Sequence, residues 1–316
     1  MKRGTVVILG IYVTDLAFRA ERMPLIGETI PGSAFAMGPG GKGSNQAVAA
    51  ARAGADVIFC TRIGADAFGE IAQSTWRAEG ITSRATVLEG VSTGAAHIYV
   101  DERTGGNAII VAAGAAGTLC PADVDAIEAD IADAAVFVTQ LEQPIPAAKR
   151  GLELARKHGA TTVFNPAPAL PLPDDIYPLC DYITPNETEA TALTGIAITS
   201  ADDARRAADA LLAKGARAVI VTLGEAGALL HSAEESVLVP AFDCGRVVET
   251  AGAGDGFTGG FAAALARGES PRDAVRFGCA LASLSVTRAG TAPSMPTLDE
   301  INAVLGERRA AVSNGA

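Results

Sequence analysis

Cysteine and histidine are both scarce in this 316-residue chain. Cys60, Cys120, Cys180, Cys244 and Cys279 are scattered without a C-x-x-C pair, so neither a disulfide framework nor a zinc site is indicated. His97, His158 and His231 lie far apart, which argues against a histidine-rich metal site. Basic charge is short as well. The formal net charge is −11 and no Lys/Arg cluster is interleaved with aromatics, so nucleic acid is not an expected partner. Although 49% of the residues are apolar, no uninterrupted run reaches the length of a membrane helix. The start, Met1-Lys2-Arg3 before Thr5-Val-Val-Ile-Leu-Gly10, has the basic and apolar parts of a secretion signal. The apolar run stops at Gly10, however, and Asp15, Arg19, Glu21 and Arg22 soon follow. A buried first strand of a cytoplasmic protein is the better reading. Internal repeats and low-complexity linkers are also absent.

What is present is an alternation of short apolar runs with Ala-rich amphipathic stretches. Core strands are expected at Val6 to Leu9, Val57 to Arg62, Ala135 to Thr139, Thr162 to Asn165, Tyr182 to Thr184 and Ala218 to Leu223. Helices are expected near Gly43 to Ala53, Phe68 to Ala78, Pro121 to Ala132, Ile145 to His158, Ala201 to Lys214 and Gly254 to Arg267. Two more follow near Pro271 to Thr287 and Leu298 to Leu305. Such alternation implies an α/β fold with a mainly parallel sheet covered on both faces, and ligands beyond the carboxyl ends of the strands. Two regions, 13–37 and 87–111, break the pattern with weak strand alternation and no helix. Together they can form a small sheet over the site, a lid that excludes water. An edge extension or a dimer surface fits the same residues.

The most informative segment is Thr250-Ala-Gly-Ala-Gly-Asp-Gly-Phe257. It joins a strand-like run, Gly245 to Glu249, to an apolar helix beginning near Phe257. The small residues Ala251, Gly252, Ala253 and Gly254 let several backbone N–H groups point into one concavity at a helix N-terminus, which suits an anion. Asp255 sits inside this nest. A carboxylate beside a phosphate cradle suggests phosphoryl transfer, the carboxylate taking a hydroxyl proton while the amides hold phosphate charge. On local sequence alone, Asp255 reads equally well as a helix cap. A second cluster, Gly38-Pro-Gly-Gly-Lys-Gly-Ser-Asn-Gln46, formally satisfies G-x-G-x-x-G, but it does not directly follow the first core strand. Nor is it a Walker A motif, because Gly43 follows Lys42. A glycine-rich turn before a helix instead lets a polar ligand approach the backbone, with Asn45 offering a donor and an acceptor as a sugar requires. Lys42 could equally be a solvated charge.

Taken together, these residues resemble the ribokinase (PfkB) family of sugar kinases. The signatures are Gly40-Gly-Lys-Gly-Ser-Asn45 through Asp66-Ala-Phe-Gly-Glu70, and Thr250-Ala-Gly-Ala-Gly-Asp255. Similar stretches run over nearly the whole chain: Gly27-Glu-Thr29, Gln140-Leu-Glu142, Asn165-Pro-Ala-Pro-Ala169, Thr184-Pro-Asn-Glu-Thr-Glu189, Thr222-Leu-Gly-Glu-Ala-Gly227 and Val286-Thr-Arg288. The ribokinase branch matches better than the others.

The resemblance implies a ribokinase-like three-layer α/β/α sandwich, a single domain over residues 1–316 with the β-sheet lid inserted at about 13–37 and 87–111. It implies transfer of the ATP γ-phosphoryl group to the primary hydroxyl of a pentose, most simply D-ribose, and a homodimer formed through the lid. By the same resemblance Asp255 is the base, with Gly252, Ala253 and Gly254 forming the anion hole. Val13, Thr14, Asp15, Gly41, Lys42, Gly43, Asn45 and Glu142 surround the sugar. Asn186, Thr222, Leu223, Gly224, Glu225, Ala226, Gly227, Gly254 and Cys279 flank ATP. Asn186 and Glu189 serve magnesium indirectly, consistent with the preference of Mg²⁺ for oxygen ligands and water. Asn186 also stands three residues before Glu189, the spacing of a helix capping box. Potassium would lie among Glu249, Ala251, Ser285, Arg288, Gly290 and Ser294.

Two departures stand out. Glu249 replaces the usual Asp, moving the carboxylate by about 1.5 Å and leaving potassium activation open. Val13 replaces the Asn of an N-x-D element, removing a partner for one sugar hydroxyl, an effect of ~1–3 kcal/mol. That opens 2-deoxyribose, or a sugar with another group there, as alternatives to ribose. A nucleoside kinase and a non-catalytic sugar sensor are the remaining readings. The lid's few aromatics, Phe18, Phe35 and Tyr99, argue against the first, and the intact Asp255 and glycine clusters against the second.

Overall fold

The computed structural model describes residues 4–313. Met1, Lys2 and Arg3, the basic start considered above, lie outside the described residues. In chain order the strands are β1 (Thr5–Leu9), β2 (Val13–Ala20), β3 (Ala34–Gly40), β4 (Asp56–Gly64), β5 (Thr82–Leu88), β6 (Thr93–Asp101), β7 (Asn107–Gly114), β8 (Val136–Thr139), β9 (Thr161–Phe164), β10 (Tyr182–Ile183), β11 (Ala218–Thr222), β12 (Ala228–Ser232) and β13 (Ser236–Val239). The helices are α1 (Lys42–Arg52), α2 (Ala67–Ala78), α3 (Pro121–Asp125), α4 (Glu128–Ala132), α5 (Ile145–His158), α6 (Glu187–Thr194), α7 (Ala201–Ala213), α8 (Ala253–Ala266), α9 (Pro271–Ser285) and α10 (Leu298–Ser313).

Nine strands form the main sheet in the order β13-β12-β11-β10-β9-β8-β1-β4-β5. It is parallel from β11 to β5 and ends in an antiparallel hairpin, β12–β13. β1 shows why the sheet lies between two layers. Its successive side chains point to opposite faces. Val6 and Ile8 enter a core with Phe257, Phe261 and Leu281, whereas Val7 and Leu9 enter another with Leu152, Phe137 and Leu211. Helices α1, α8 and α9 cover the first face and α3, α5 and α7 the second, giving the expected three-layer α/β/α arrangement. Among the described residues no helix is long and apolar enough to cross a membrane.

A separate four-stranded sheet, ordered β3-β2-β6-β7, arises from the two regions that broke the α/β pattern. The expected bounds shift at both ends. Val87 and Leu88 belong to β5 of the main sheet, while β3 runs on to Gly40 and β7 to Gly114. Two other expectations are corrected. Gly245 to Glu249 is not a strand: Val247 and Val248 are 51% and 58% exposed, and the N–H groups of Val248 and Glu249 both donate to Val286 O at the end of α9. The apolar pair imitated a strand without a sheet neighbour to bind it. Pro121 to Ala132 is two short helices rather than one, broken where Ile127 leaves helical geometry (φ −110°, ψ 18°) with its side chain buried.

Candidate active site

The carboxyl ends of the central strands and the N-termini of α1 and α8 meet at one place. Asp255 lies there, on the first turn of α8 and only 5% exposed. Gly252 precedes the helix with φ +79°, a left-handed conformation that glycine adopts without strain. Of the expected anion-hole amides, Ala253 N–H is turned back onto Thr250 O at 3.2 Å. Helix geometry leaves the next two, Gly254 and Asp255, without intrahelical acceptors. A Cβ built on Gly254 meets nothing within 4 Å and the residue is exposed, so the first turn of α8 has open space beside it.

Asp255 is held on both oxygens. Asn45 Nδ2 donates to Oδ2 at 3.0 Å, and Gln46 Nε2 donates to Oδ1 at 3.1 Å. Both donors come from the start of α1, which begins directly after Gly41, a residue with φ +85°. A Cβ on Gly41 would fall 2.7 Å from Ile11 O, and one on Gly40 would collide with the Asp15 carboxylate. These glycines let β3 and α1 press against β2. Behind Gln46, a row of amides crosses the strand ends: Gln140 Nε2 donates to Gln46 Oε1 (2.6 Å), Gln46 Nε2 to Asn165 Oδ1 (3.1 Å), and Asn165 Nδ2 to Thr184 O (2.8 Å). Asn45 Oδ1 is buried with no hydrogen-bond partner. A buried acceptor in that state is set for a donor from a ligand.

Charged groups crowd the same space. Lys42 N–H donates to Glu142 Oε2 at 2.7 Å, and the attraction of Asp255 raises the Lys42 ammonium pKa above its ordinary value. Burial pushes Glu142 up to about 7 and Asp15 up to about 6, with Asp255 adding repulsion to both. Thr291 Oγ1, 3.4 Å from Asp15 Oδ2, opposes the rise. Glu189 is also raised, chiefly by burial, and feels both Lys42 and Asp255. The capping-box reading of its neighbourhood is correct: Asn186 N donates to Glu189 Oε2 (2.9 Å) and Glu189 N to Asn186 Oδ1 (2.8 Å). The box leaves Asn186 Nδ2 and Glu189 Oε1 outside it. Thr14 is fully buried with Tyr12 hydroxyl 3.1 Å away, and Val13 packs with Ile11, Ala96 and Ala116.

Beyond Asn186 lies the expected nucleotide side. Asn186 bridges to Thr222, whose N–H donates to Pro185 O at 3.0 Å. Leu223 N–H closes the Leu223–Gly227 turn on Gly227 O at 2.8 Å, and Glu225 and Ala226 are exposed. Gly227 and Cys279 both reach Val239: a Cβ on Gly227 would strike its carbonyl oxygen, and Cys279 Sγ lies 3.9 Å from that oxygen. Across α8, Glu249 Oε2 accepts from Gly290 N–H at 2.8 Å. Ser294 Oγ donates to Thr291 O and Ser285 Oγ to Ala282 O, while the Arg288 guanidinium pairs with Glu300. Among the described residues no group of three or more His, Cys, Asp or Glu side chains is placed to hold a metal ion.

A model of the pfkB family of carbohydrate kinases matches residues 3–298. The chain belongs to that family. As a pfkB-family carbohydrate kinase it is a phosphotransferase with a sugar hydroxyl as acceptor. It is 38% identical over 299 residues to the ribokinase of Haemophilus influenzae, covering 94% of this chain and 97% of that one. A deoxyribokinase of Salmonella typhi is 37% identical over 304 residues, covering 95% and 98%. The structure of Arabidopsis thaliana ribokinase complexed with ribose and ATP matches with a TM-score of 0.87 at 29% identity, over 96% of this chain and 99% of that one. Asp255, Asn45 and the glycine turns were expected from sequence, and the structure brings them together. Gln46, Gln140, Asn165 and Thr291 were not singled out from sequence, although the first three stand inside the quoted motifs.

Proposed function

We propose that this carbohydrate kinase transfers the γ-phosphoryl group of ATP to the primary hydroxyl of a pentose, D-ribose foremost, giving D-ribose 5-phosphate and ADP. One observation carries the reading: Asn45 donates to Asp255 and keeps a buried, unpartnered Oδ1. A sugar hydroxyl that donates to Asn45 therefore lies next to the carboxylate. Asp255 takes the proton of the primary hydroxyl, whose oxygen bonds to the γ-phosphorus as the bond to the β-phosphate oxygen breaks. Amides at the start of α8, led by Gly254, hold the charge on the transferring group. Asp15, Lys42, Glu142 and the Gly41–Gly43 turn hold the remaining hydroxyls, and the Thr222–Gly227 turn with Asn186 and Cys279 flanks the nucleotide. Magnesium, when bound with ATP, neutralises phosphate charge. With no group of three or more His, Cys, Asp or Glu side chains among the described residues placed to hold the ion directly, Asn186 Nδ2 and Glu189 Oε1 fit a role through its waters. Glu249, Ala251, Ser285, Arg288, Gly290 and Ser294 are read as the surroundings of a potassium ion, Arg288 through its backbone because its side chain is engaged by Glu300.

A second acceptor, 2-deoxyribose, is favoured by Val13. This side chain is 3% exposed and offers no hydrogen bond where an N-x-D element would have Asn. A nucleoside acceptor is disfavoured by the small sheet. Phe18 pairs across strands with Phe35 and Tyr99, so all three aromatics share the face opposite Asp15. That outer face exposes Phe18, Phe35, Met37 and Ile110, which supports a homodimer through the lid, testable by the mass of the protein in solution. The deciding experiment is ATP turnover against ribose, 2-deoxyribose, fructose and adenosine, with and without K⁺. Turnover on ribose raised by K⁺ supports the whole reading. Preference for another acceptor moves the assignment within the family, and absence of turnover on all four overturns it.

A further inference from the structure

Gln46 touches the carboxylate proposed as the base, yet it neither binds the sugar nor moves the proton in the proposed transfer. We propose that Gln46 is a positioning residue, which locks the Asp255 carboxylate in the orientation that receives the hydroxyl proton. The proposal rests on Asp255 acting as the base.

A single backbone carbonyl sets the direction of the whole amide row. Thr184 O can only accept, so Asn165 must turn Nδ2 toward it, at 2.8 Å. Asn165 Oδ1 then faces Gln46 and accepts from its Nε2 at 3.1 Å. The same Nε2 meets Asp255 Oδ1 at 3.1 Å, and Gln46 Oε1 is left to accept from Gln140 Nε2 at 2.6 Å. Reversing the Gln46 amide would set its oxygen against two acceptors and its nitrogen against a donor. Gln46 is fully buried, so water does not repair such a reversal. The donor presented to Asp255 is thus dictated by the polypeptide at the end of β9 and the start of the β10–α6 turn.

The consequence for the reaction is geometric. A carboxylate offers about two acceptor positions on each oxygen. With Gln46 on Oδ1 and Asn45 on Oδ2, the plane of the group is pinned, and one position on each oxygen remains for the substrate proton. Asn45 is also proposed to serve the sugar, whereas the Gln46 side chain hydrogen-bonds to Asp255 and to other amides. Its loss should therefore appear in kcat and not in KM.

Gln46→Met keeps the length and removes the donor. Expected is a fall in kcat of about 10- to 100-fold, with KM for sugar and ATP unchanged within about twofold. Gln46→Glu, the same size but with an acceptor facing Asp255, should be worse than Met. Asn165→Ala frees the Gln46 amide to reverse and should lower kcat less. The double variant Gln46→Met with Asn165→Ala should be no slower than Gln46→Met alone, because Asn165 acts through Gln46. Unchanged kcat in folded Gln46→Met, a KM rise with kcat intact, or additive losses in the double variant each overturn the proposal. If Gln46→Met does not fold, Asn165→Ala decides: lowered kcat at unchanged KM supports it and full kcat overturns it. An active parent enzyme with insensitive variants refutes only Gln46. A parent without sugar turnover removes the kinase reading itself.

Discussion

Raising the pH from about 5 to about 8 should lower the melting temperature of the sugar-free enzyme and increase the stabilisation that sugar confers. Asp15 and Glu142 are the cause. Burial holds Asp15 at about 6 against an ordinary 3.8, and Glu142 at about 7 against 4.5. Between the ordinary and the raised values, the folded chain keeps protons that the unfolded chain has released. Stability therefore falls as pH rises through that interval and levels off above about 7. At 1.36 kcal/mol per pH unit, each displacement corresponds to about 3 kcal/mol. The two carboxylates share Lys42 and Asp255 as neighbours and titrate together, so the combined loss is on the order of 3–5 kcal/mol. For a chain of this size that is a fall in Tm of roughly 5–10 °C. Glu28, Glu128 and Glu300, held at about 2 by hydrogen bonds from Arg22, Lys157 and Arg288, leave the window flat because they gain protons only below it. Sugar hydroxyls that donate to Asp15 and Glu142 favour their anions, so the shift in Tm with ribose should grow with pH. The assay is scanning calorimetry at constant ionic strength, with and without saturating ribose, on the parent and on Asp15→Asn/Glu142→Gln. Glu189, also raised by burial, leaves a smaller slope of the same sign in the double variant. A sugar-free Tm that is flat or rises across the window, or a slope as steep in the double variant as in the parent, refutes the reasoning.

Asp255→Asn should lower kcat by about 10²- to 10⁴-fold with sugar affinity little changed, measured by steady-state kinetics and sugar titration. Near-full activity removes Asp255 from the mechanism. Gly254→Ala should raise Tm slightly, since Ala suits a helix by about 0.5–1 kcal/mol and its Cβ meets no neighbour, yet weaken ATP use by placing a methyl in the anion cradle. Unchanged KM and kcat for ATP would clear Gly254 of that role. Val13→Asn should increase the ribose to 2-deoxyribose ratio of kcat/KM by about tenfold or more, and an unchanged ratio shows that Val13 does not set the acceptor.

The sandwich was legible because β1, β4, β8, β9 and β11 are apolar runs separated by amphipathic helices, a pattern that only a doubly covered parallel sheet produces. β5 and β13 escaped notice because they are the two edge strands, whose outward residues such as Thr82, Ser83 and Arg84 carry little apolar signal, and the apolar run of β12, Ala228 to Leu230, is only three residues long. Asp255 and the glycine turns could be read because backbone conformation and charge are local properties. The amide row could not. Gln46 meets Gln140 and Asn165 from 94 and 119 positions away, and only the packing of strand ends makes neighbours of them. Asn186 and Glu189 lie between the two cases, since their spacing foretold the capping box but not their view of Lys42 and Asp255.

The small sheet runs almost directly into α1, the helix proposed to hold the sugar. β3 ends at Gly40 with only Gly41 between it and the start of α1 at Lys42, and β2 carries Asp15 on the strand paired with β3. A pull on the sheet is therefore a pull on Lys42, Asn45 and, through Asn45, Asp255. If Lys42 and Asn45 hold the sugar as proposed, a partner seated on this sheet would sit one glycine away from that grip. The joint is thus a single glycine, and a residue inserted beside Gly41 would uncouple the register of β3 from the start of α1.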